Sequence, residues 1–227
     1  MIIAAITENN TQQQLMTFFP GAGVEWRIIQ RVEPVPGADA YFDLDFVPEP
    51  ARCEALSRLR PALVIVNAVT PTTKEIGYPF IRINGWPGFL ERPVHELAIP
   101  EENTAAREKK VAEEDTAPEE TRERLAVLYR QLGREYRLVP DEPGMISARI
   151  LSAIINEAFY TWEAEVSTKE EIDTAMRLGT NYPLGPFEWG ERIGLGQVAG
   201  LLGALSRTNP AYVPSAALLQ TVEKIKI

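Results

Sequence analysis

Few residues of this chain could carry acid–base or metal chemistry. There is one histidine, His95, and one cysteine, Cys53, so no cluster has the ligand count of a metal site. A single cysteine cannot close an intramolecular disulfide, which fits a reducing compartment. His95 stands beside Glu96 in Val94 to Leu97, a run that reads as a strand. Neighbours on a strand point to opposite faces, so the two do not form a base and its orienting acid. His95 is therefore expected to be structural, at the surface or hydrogen-bonded. Glu96 would act as a general base only if burial raised its pKa. Asn67, Thr70 and Asn84 complete the polar candidates for a reaction in this region.

A second place to look for chemistry is the turn after the first apolar run. Met1 to Ile6 reads as a buried strand, Thr11 to Phe19 as a helix and Val24 to Val32 as a second strand, together the βαβ opening of a Rossmann-like sheet. A dinucleotide site needs a glycine-rich turn directly after the first strand, so that backbone amides can approach the pyrophosphate. Here that turn is Thr7-Glu8-Asn9-Asn10, and Gly21 and Gly23 come only after the helix. Its side chains would fill the phosphate space and Glu8 would repel the anion. The end of the second strand offers Gln30 and Arg31 where an acid would hold the ribose. No cofactor is expected to bind.

These residues must be positioned by the elements around them. Ala40 to Val47 reads as a strand, Pro50 to Arg60 as a helix and Leu63 to Val69 as a very apolar strand. Glu119 to Leu132 has helical periodicity and stops at Gly133, followed by a short strand at Tyr136 to Val139. Residues 100–118 are charged and read as a solvated hairpin or loop. From Pro143 onward the chain reads as helices. Ile146, Ile150, Ile154, Ala158 and Trp162 recur every four positions beside a second stripe of Leu151, Ile155 and Phe159. So wide an apolar face needs a core on several sides or a partner chain. Ser167 with Glu170, or Thr168 with Glu171, fits a capping box, with Gly179 as the expected terminator. Pro186 suits the first position of the next helix. Val198 to Leu205 reads as helical, with Gly200 and Gly203 expected to permit close helix contact.

PGMISARILSAIINEA followed by EIDTAMRLGTNYPLGPFEW resembles the helical C-terminal domain of the 3-hydroxyacyl-CoA dehydrogenases. The resemblance covers most of residues 143–195 and, more weakly, the tail. It implies an α/β plus all-α fold: a truncated Rossmann-like domain at 1–141, then a helical dimerisation and substrate-side domain at 142–227. The truncation is read from residues 30–40, too few for the helices and strand the family places between its half-sheets. Laid on the family's pattern, Asn84 takes the place of the general-base histidine and Glu96 that of its orienting glutamate, twelve residues on. Asparagine cannot accept and return a proton near neutral pH. Ala148, before Arg149, replaces an asparagine that contacts the substrate carbonyl, and the family's loop serine falls at Val69, with Thr70 adjacent.

Four requirements of hydride transfer are thus missing: the glycine turn, the ribose acid, the base and the carbonyl contact. The resemblance then implies a pseudoenzyme, a homodimer that binds an acyl-CoA ligand or plays an accessory part. An active NAD-dependent dehydrogenase of fatty acid metabolism, or another reaction in a remodelled cleft, is the alternative. A formal charge of -9 disfavours nucleic acid and anionic membrane as partners, and no run reaches the roughly 20 apolar residues of a membrane span. A cytoplasmic location is expected.

Overall fold

The computed structural model describes residues 1–100 and 119–225, so nearly all of the charged stretch 100–118 lies outside the described residues. The chain divides into two compact units, Met1–Met145 and Ile146–Ile227.

The first unit is built on one seven-stranded sheet. Its strands are β1 (Ile2–Ile6), β2 (Glu25–Ile29), β3 (Ala38–Asp43), β4 (Leu63–Asn67), β5 (Ile81–Ile83), β6 (Val94–Ala98) and β7 (Glu135–Leu138). They lie in the order β2-β1-β3-β4-β5-β6-β7. The first five are parallel, β6 runs antiparallel to β5, and β7 is parallel to β6. Alternate side chains serve opposite faces. Ile3, Ala5, Phe42 and Ile65 pack with Leu15 and Phe19, from α1 (Gln12–Phe18) and its end, and with Leu125 and Leu128 of α4 (Glu119–Leu132). Ala4, Ile6, Tyr41, Val64 and Val66 pack on the other face with Cys53 and Leu56 of α2 (Pro50–Ser57). The result is the expected doubly wound sheet, with its strand order reversing between β1 and β3.

Two differences from the sequence reading bear on the site. The strand expected over Ala40 to Val47 ends at Asp43, which frees Asp45 to join a turn. The strand expected over Val24 to Val32 ends at Ile29, and only residues 30–37 lead from there across β1 to β3. Parallel strands are ordinarily joined through a dozen or more residues including a helix. This link has none, and the Val35 amide is pinned by the Tyr41 hydroxyl at 2.7 Å.

A buried arginine, unmarked in the sequence reading, holds the opposite part of the sheet. Arg82 on β5 is fully buried. Its Nε donates to the Ala68 carbonyl at 2.9 Å and its Nη2 to the Val69 carbonyl at 3.0 Å, both just past β4. Nη1 pairs with Asp141. Asp141 also accepts from the Thr73 amide at 2.9 Å, at the start of the short helix α3 (Thr73–Ile76), which the sequence reading did not include. Burial lowers the guanidinium's pKa and Asp141 opposes that shift. A guanidinium brought out of water needs this full set of acceptors.

The second unit comprises α5 (Ser147–Glu163), α6 (Lys169–Thr180), α7 (Pro186–Ile193), α8 (Leu195–Ser206), a short 3-10 turn (Pro210–Tyr212) and α9 (Ala216–Ile225). Of the two capping boxes offered for α6, Thr168 with Glu171 is the one formed. Gly179 does not end that helix. It continues through Thr180, and Asn181 takes the left-handed position with φ 56. On α5 the buried set is Ala148, Leu151, Ile155, Ala158 and Phe159, whereas Ile146 and Ile150 are about half exposed. The every-fourth-residue stripe is thus split between core and surface. The close contact expected at Gly200 and Gly203 is not formed among the described residues, where a Cβ on either would meet nothing within 4 Å. Asp173 shapes the aromatic loop. It accepts from the Phe187 amide at 2.8 Å and the Glu188 amide at 3.2 Å, so capping α7. A Cβ on Gly185 would lie 2.3 Å from the Asp173 carboxyl carbon, which explains the glycine there.

Replacing one partner of the buried pair leaves the other uncompensated. Asp141→Ala is expected to cost about 3–5 kcal/mol, read as a lower urea midpoint. Arg82→Met, which removes the charge, should cost less, and the opposite order would contradict this assignment.

Candidate functional site

Ligands of doubly wound sheets bind outside the carboxyl ends of the parallel strands. Two clusters stand at that edge, one past β4 and β5 and one past β1 and β3.

In the first cluster Asn84 and Glu96 are neighbours. The antiparallel register pairs Ile83 with Leu97, and the next step brings the Asn84 amide to the Glu96 carbonyl at 3.3 Å. The Asn84 side chain is buried. Its Oδ1 accepts from the Trp86 amide at 3.4 Å, while Nδ2 has no hydrogen-bond partner among the described residues. Glu96 is half-buried. Asn67 is committed to holding the backbone: Nδ2 donates to the Leu44 carbonyl at 3.1 Å and Oδ1 accepts from the Gly85 amide at 3.0 Å. A Cβ on Gly85 would sit 2.7 Å from the Asn67 side-chain carbon, so this pin requires the glycine. Thr70 is half-buried, one residue past Val69, whose carbonyl Arg82 and the Gly144 amide share. Ala148 lies in the helical unit, fully buried on α5.

His95 points to the other sheet face from Glu96, as strand alternation requires. Its Nε2 lies 3.0 Å from the Leu90 carbonyl, and its ring stands edge-on to Phe19 and Tyr129 at 5.4 and 5.8 Å. Burial pushes its pKa down to about 4. It is a neutral core residue at physiological pH.

The second cluster surrounds Thr7-Glu8-Asn9-Asn10. Asp45 Oδ2 accepts from the Thr7 hydroxyl at 3.0 Å and from the Glu8 amide at 2.7 Å. Thr7 Oγ1 in turn accepts from the amides of Asn9 at 3.1 Å and Asn10 at 3.2 Å. Beside it Arg52 grips the buried Asp43 with two bonds of 2.8 and 2.7 Å. Burial raises the Asp43 pKa against the pull of that guanidinium.

Comparison with known proteins identifies the architecture. Residues 144–226 match the family profile of the 3-hydroxyacyl-CoA dehydrogenase C-terminal domain. A 3-hydroxyadipyl-CoA dehydrogenase of Escherichia coli is 39% identical over 100 residues, 43% of this chain and 21% of that protein. A mitochondrial hydroxyacyl-coenzyme A dehydrogenase of Sus scrofa is 34% identical over 111 residues, 48% of this chain and 35% of that protein. The solved (S)-3-hydroxybutyryl-CoA dehydrogenase of Ralstonia eutropha shares the fold with TM-score 0.69 at 20% identity, over 88% of this chain and 70% of that one. Residues 144–226 therefore carry a 3-hydroxyacyl-CoA dehydrogenase C-terminal domain, and the chain shares the fold of these enzymes. Its matching part spans between a fifth and about a third of the two curated relatives.

The family's cofactor is a nicotinamide dinucleotide, and the residues at the β1 turn do not fit its diphosphate. In such a site free amides face the phosphates. Here the Glu8, Asn9 and Asn10 amides already donate to Asp45 and Thr7. The acceptor is itself an anion, and no step is derived through a bound dinucleotide.

Two site features escaped the sequence reading. Asp45 stood inside an expected strand, and Arg82 stood unmarked in an apolar stretch. For Arg82 the sequence signal was partial: an arginine within a buried strand demands an acid, but nothing in the spacing singles out Asp141.

The buried histidine makes a pH prediction. Its unfolded pKa is near 6.5 and its folded value about 4, so the unfolded chain takes the proton first. Its contribution is whole above pH 6.5 and is lost as pH falls toward 4, by on the order of 3 kcal/mol. Urea midpoints of wild type and His95→Phe should converge through that window. Parallel curves would contradict it.

Proposed function

We propose that this 3-hydroxyacyl-CoA dehydrogenase-like protein binds acyl-CoA thioesters but neither binds NAD nor transfers hydride, and works as a homodimeric binding or accessory protein in the cytoplasm. The observation that carries this reading is the engagement of the β1-turn amides by Asp45 and Thr7. Support comes also from the reacting positions. The sequence resemblance lays Asn84 on the family's base, and in support Asn84 lies next to Glu96 with a buried Nδ2 that can donate to a ligand oxygen but cannot shuttle a proton. Acyl-CoA is taken as the ligand class from the names of the relatives and the intact helical domain that matches theirs.

The direct test titrates purified protein with NADH and with acetoacetyl-CoA, following tryptophan emission. Thioester binding without NADH binding supports the proposal, and NADH binding tighter than millimolar (roughly -4 kcal/mol) defeats it. Asn84→His should not give turnover with NADH, because a base alone supplies no hydride partner. Measurable oxidation or reduction by that variant would contradict us.

The dimer is proposed from the half-exposed Ile150 on α5 and Ile146 just before it. An exposed apolar stripe on a helix is an unfavourable solvent face unless covered. Sedimentation of the wild type should give a dimer and of Ile150→Glu a monomer. A monomeric wild type would remove that part of the proposal.

A further inference from the structure

We infer that Asp45 is the resident anion of the nucleotide edge: a carboxylate of the chain itself occupies the phosphate-receiving donors of the β1 turn and so sets its specificity against phosphate-bearing cofactors. This assignment rests on the functional reading above and supplies its mechanism.

The geometry is built from the strand order. β1 and β3 are adjacent, and their pairing continues one step past β3, where the Leu44 amide donates to the Ile6 carbonyl at 3.1 Å. With Ile6 paired to Asp43, Thr7 and Glu8 come alongside Leu44 and Asp45 at the switch point, within reach of the Asp45 carboxylate. Thr7 is almost fully buried, and its own amide is fixed to the Ile29 carbonyl of β2 at 3.0 Å. Its hydroxyl oxygen accepts from the Asn9 and Asn10 amides and the Asn10 side-chain amide, at 3.1, 3.2 and 3.0 Å, and its O–H donates to Asp45 at 3.0 Å. The Glu8 amide donates to Asp45 directly at 2.7 Å. Three successive backbone donors thus converge, one directly and two through a hydroxyl, on a single carboxylate.

Such a convergence of amides is an anion-binding arrangement, and the short link at 30–37 does not disturb it. The position of Asp45 is also secured from behind. The preceding carbonyl, of Leu44, is held by Asn67, and Arg52 is occupied by both oxygens of Asp43. Arg52 therefore does not draw Asp45 away from the turn. An intrachain acceptor needs no association step, so a dissolved phosphate at ordinary concentration must displace it against a tethered competitor. It must also approach Asp43, Asp45 and Glu49, which surround the Arg52 guanidinium, and the Glu8 side chain of the turn itself.

The test is anion rescue on the full chain, reading the thermal midpoint in sodium chloride and in sodium pyrophosphate at matched ionic strength. Pyrophosphate's general effect on protein surfaces acts on every variant, so the difference from wild type is the readout. Asp45→Ala should melt about 4–8 °C lower in chloride and regain at least half of that loss, beyond the wild-type response, in pyrophosphate. Asp45→Asn retains an acceptor for Thr7 and Glu8 and should need less rescue. Equal pyrophosphate responses in wild type and Asp45→Ala overturn the assignment. Should Asp45→Ala not fold in chloride, amide NMR of the wild type decides. The Glu8, Asn9 and Asn10 resonances should stay still as pyrophosphate is added, and saturable movement of them overturns it. NADH binding by the wild type would defeat the functional reading itself, whereas absent rescue with NADH still unbound defeats only the role of Asp45.

Discussion

Backbone amides at the end of a strand must find acceptors, and at the β1 turn one carboxylate has taken them. Thr7 and Glu8 reach Asp45 at 3.0 and 2.7 Å, and Asn9 and Asn10 reach it through the Thr7 hydroxyl. In a doubly wound sheet this is the location at which strand order reverses and ligands settle. Thr7 is buried while Glu8 and Asn9 are exposed, so the carboxylate takes at this turn the acceptor place that water would otherwise hold. An acceptor supplied just after β3 engages the Glu8 amide directly and, through Thr7, those of Asn9 and Asn10.

The rest of the edge is organised around a cation in the same way. Arg82 collects the carbonyls after β4 and the carboxylate of Asp141, so the loop carrying Thr70 and the segment leaving the sheet unit are tied to one side chain. Asn67 does the same on a smaller scale for the turn after β5. Asn84 is the exception, a buried amide whose Nδ2 is unmatched among the described residues and stands next to Glu96.

Much of this was legible in the sequence, and the misses have physical causes. Period and turn chemistry reveal elements: Glu119 to Leu132 is helical over the bounds read from its leucines, and Thr168 with Glu171 forms the box its spacing suggests. The opposite-face relation of His95 and Glu96 follows from strand alternation alone. Gly179 was read as a terminator because glycine favours left-handed backbone, but Asn181 takes that conformation two residues later. The Ile146 and Ile150 stripe was apolar without being buried, since periodicity reports which residues share a face and not what covers it. Asp45 and Arg82 were hidden because their partners lie 38 and 59 positions away, at Thr7 and Asp141. Long-range ion pairing leaves no periodic trace in a sequence.

Whether a diphosphate can displace the Asp45 carboxylate decides how the β1–β3 edge is used. A crystal structure from crystals soaked in oxidised nicotinamide dinucleotide addresses this most directly. The account predicts no dinucleotide density along the β1–β3 edge, with Asp45 still bonded to Thr7 and Glu8. Phosphate oxygens on the amides of residues 8–10, with Asp45 turned away, would contradict it.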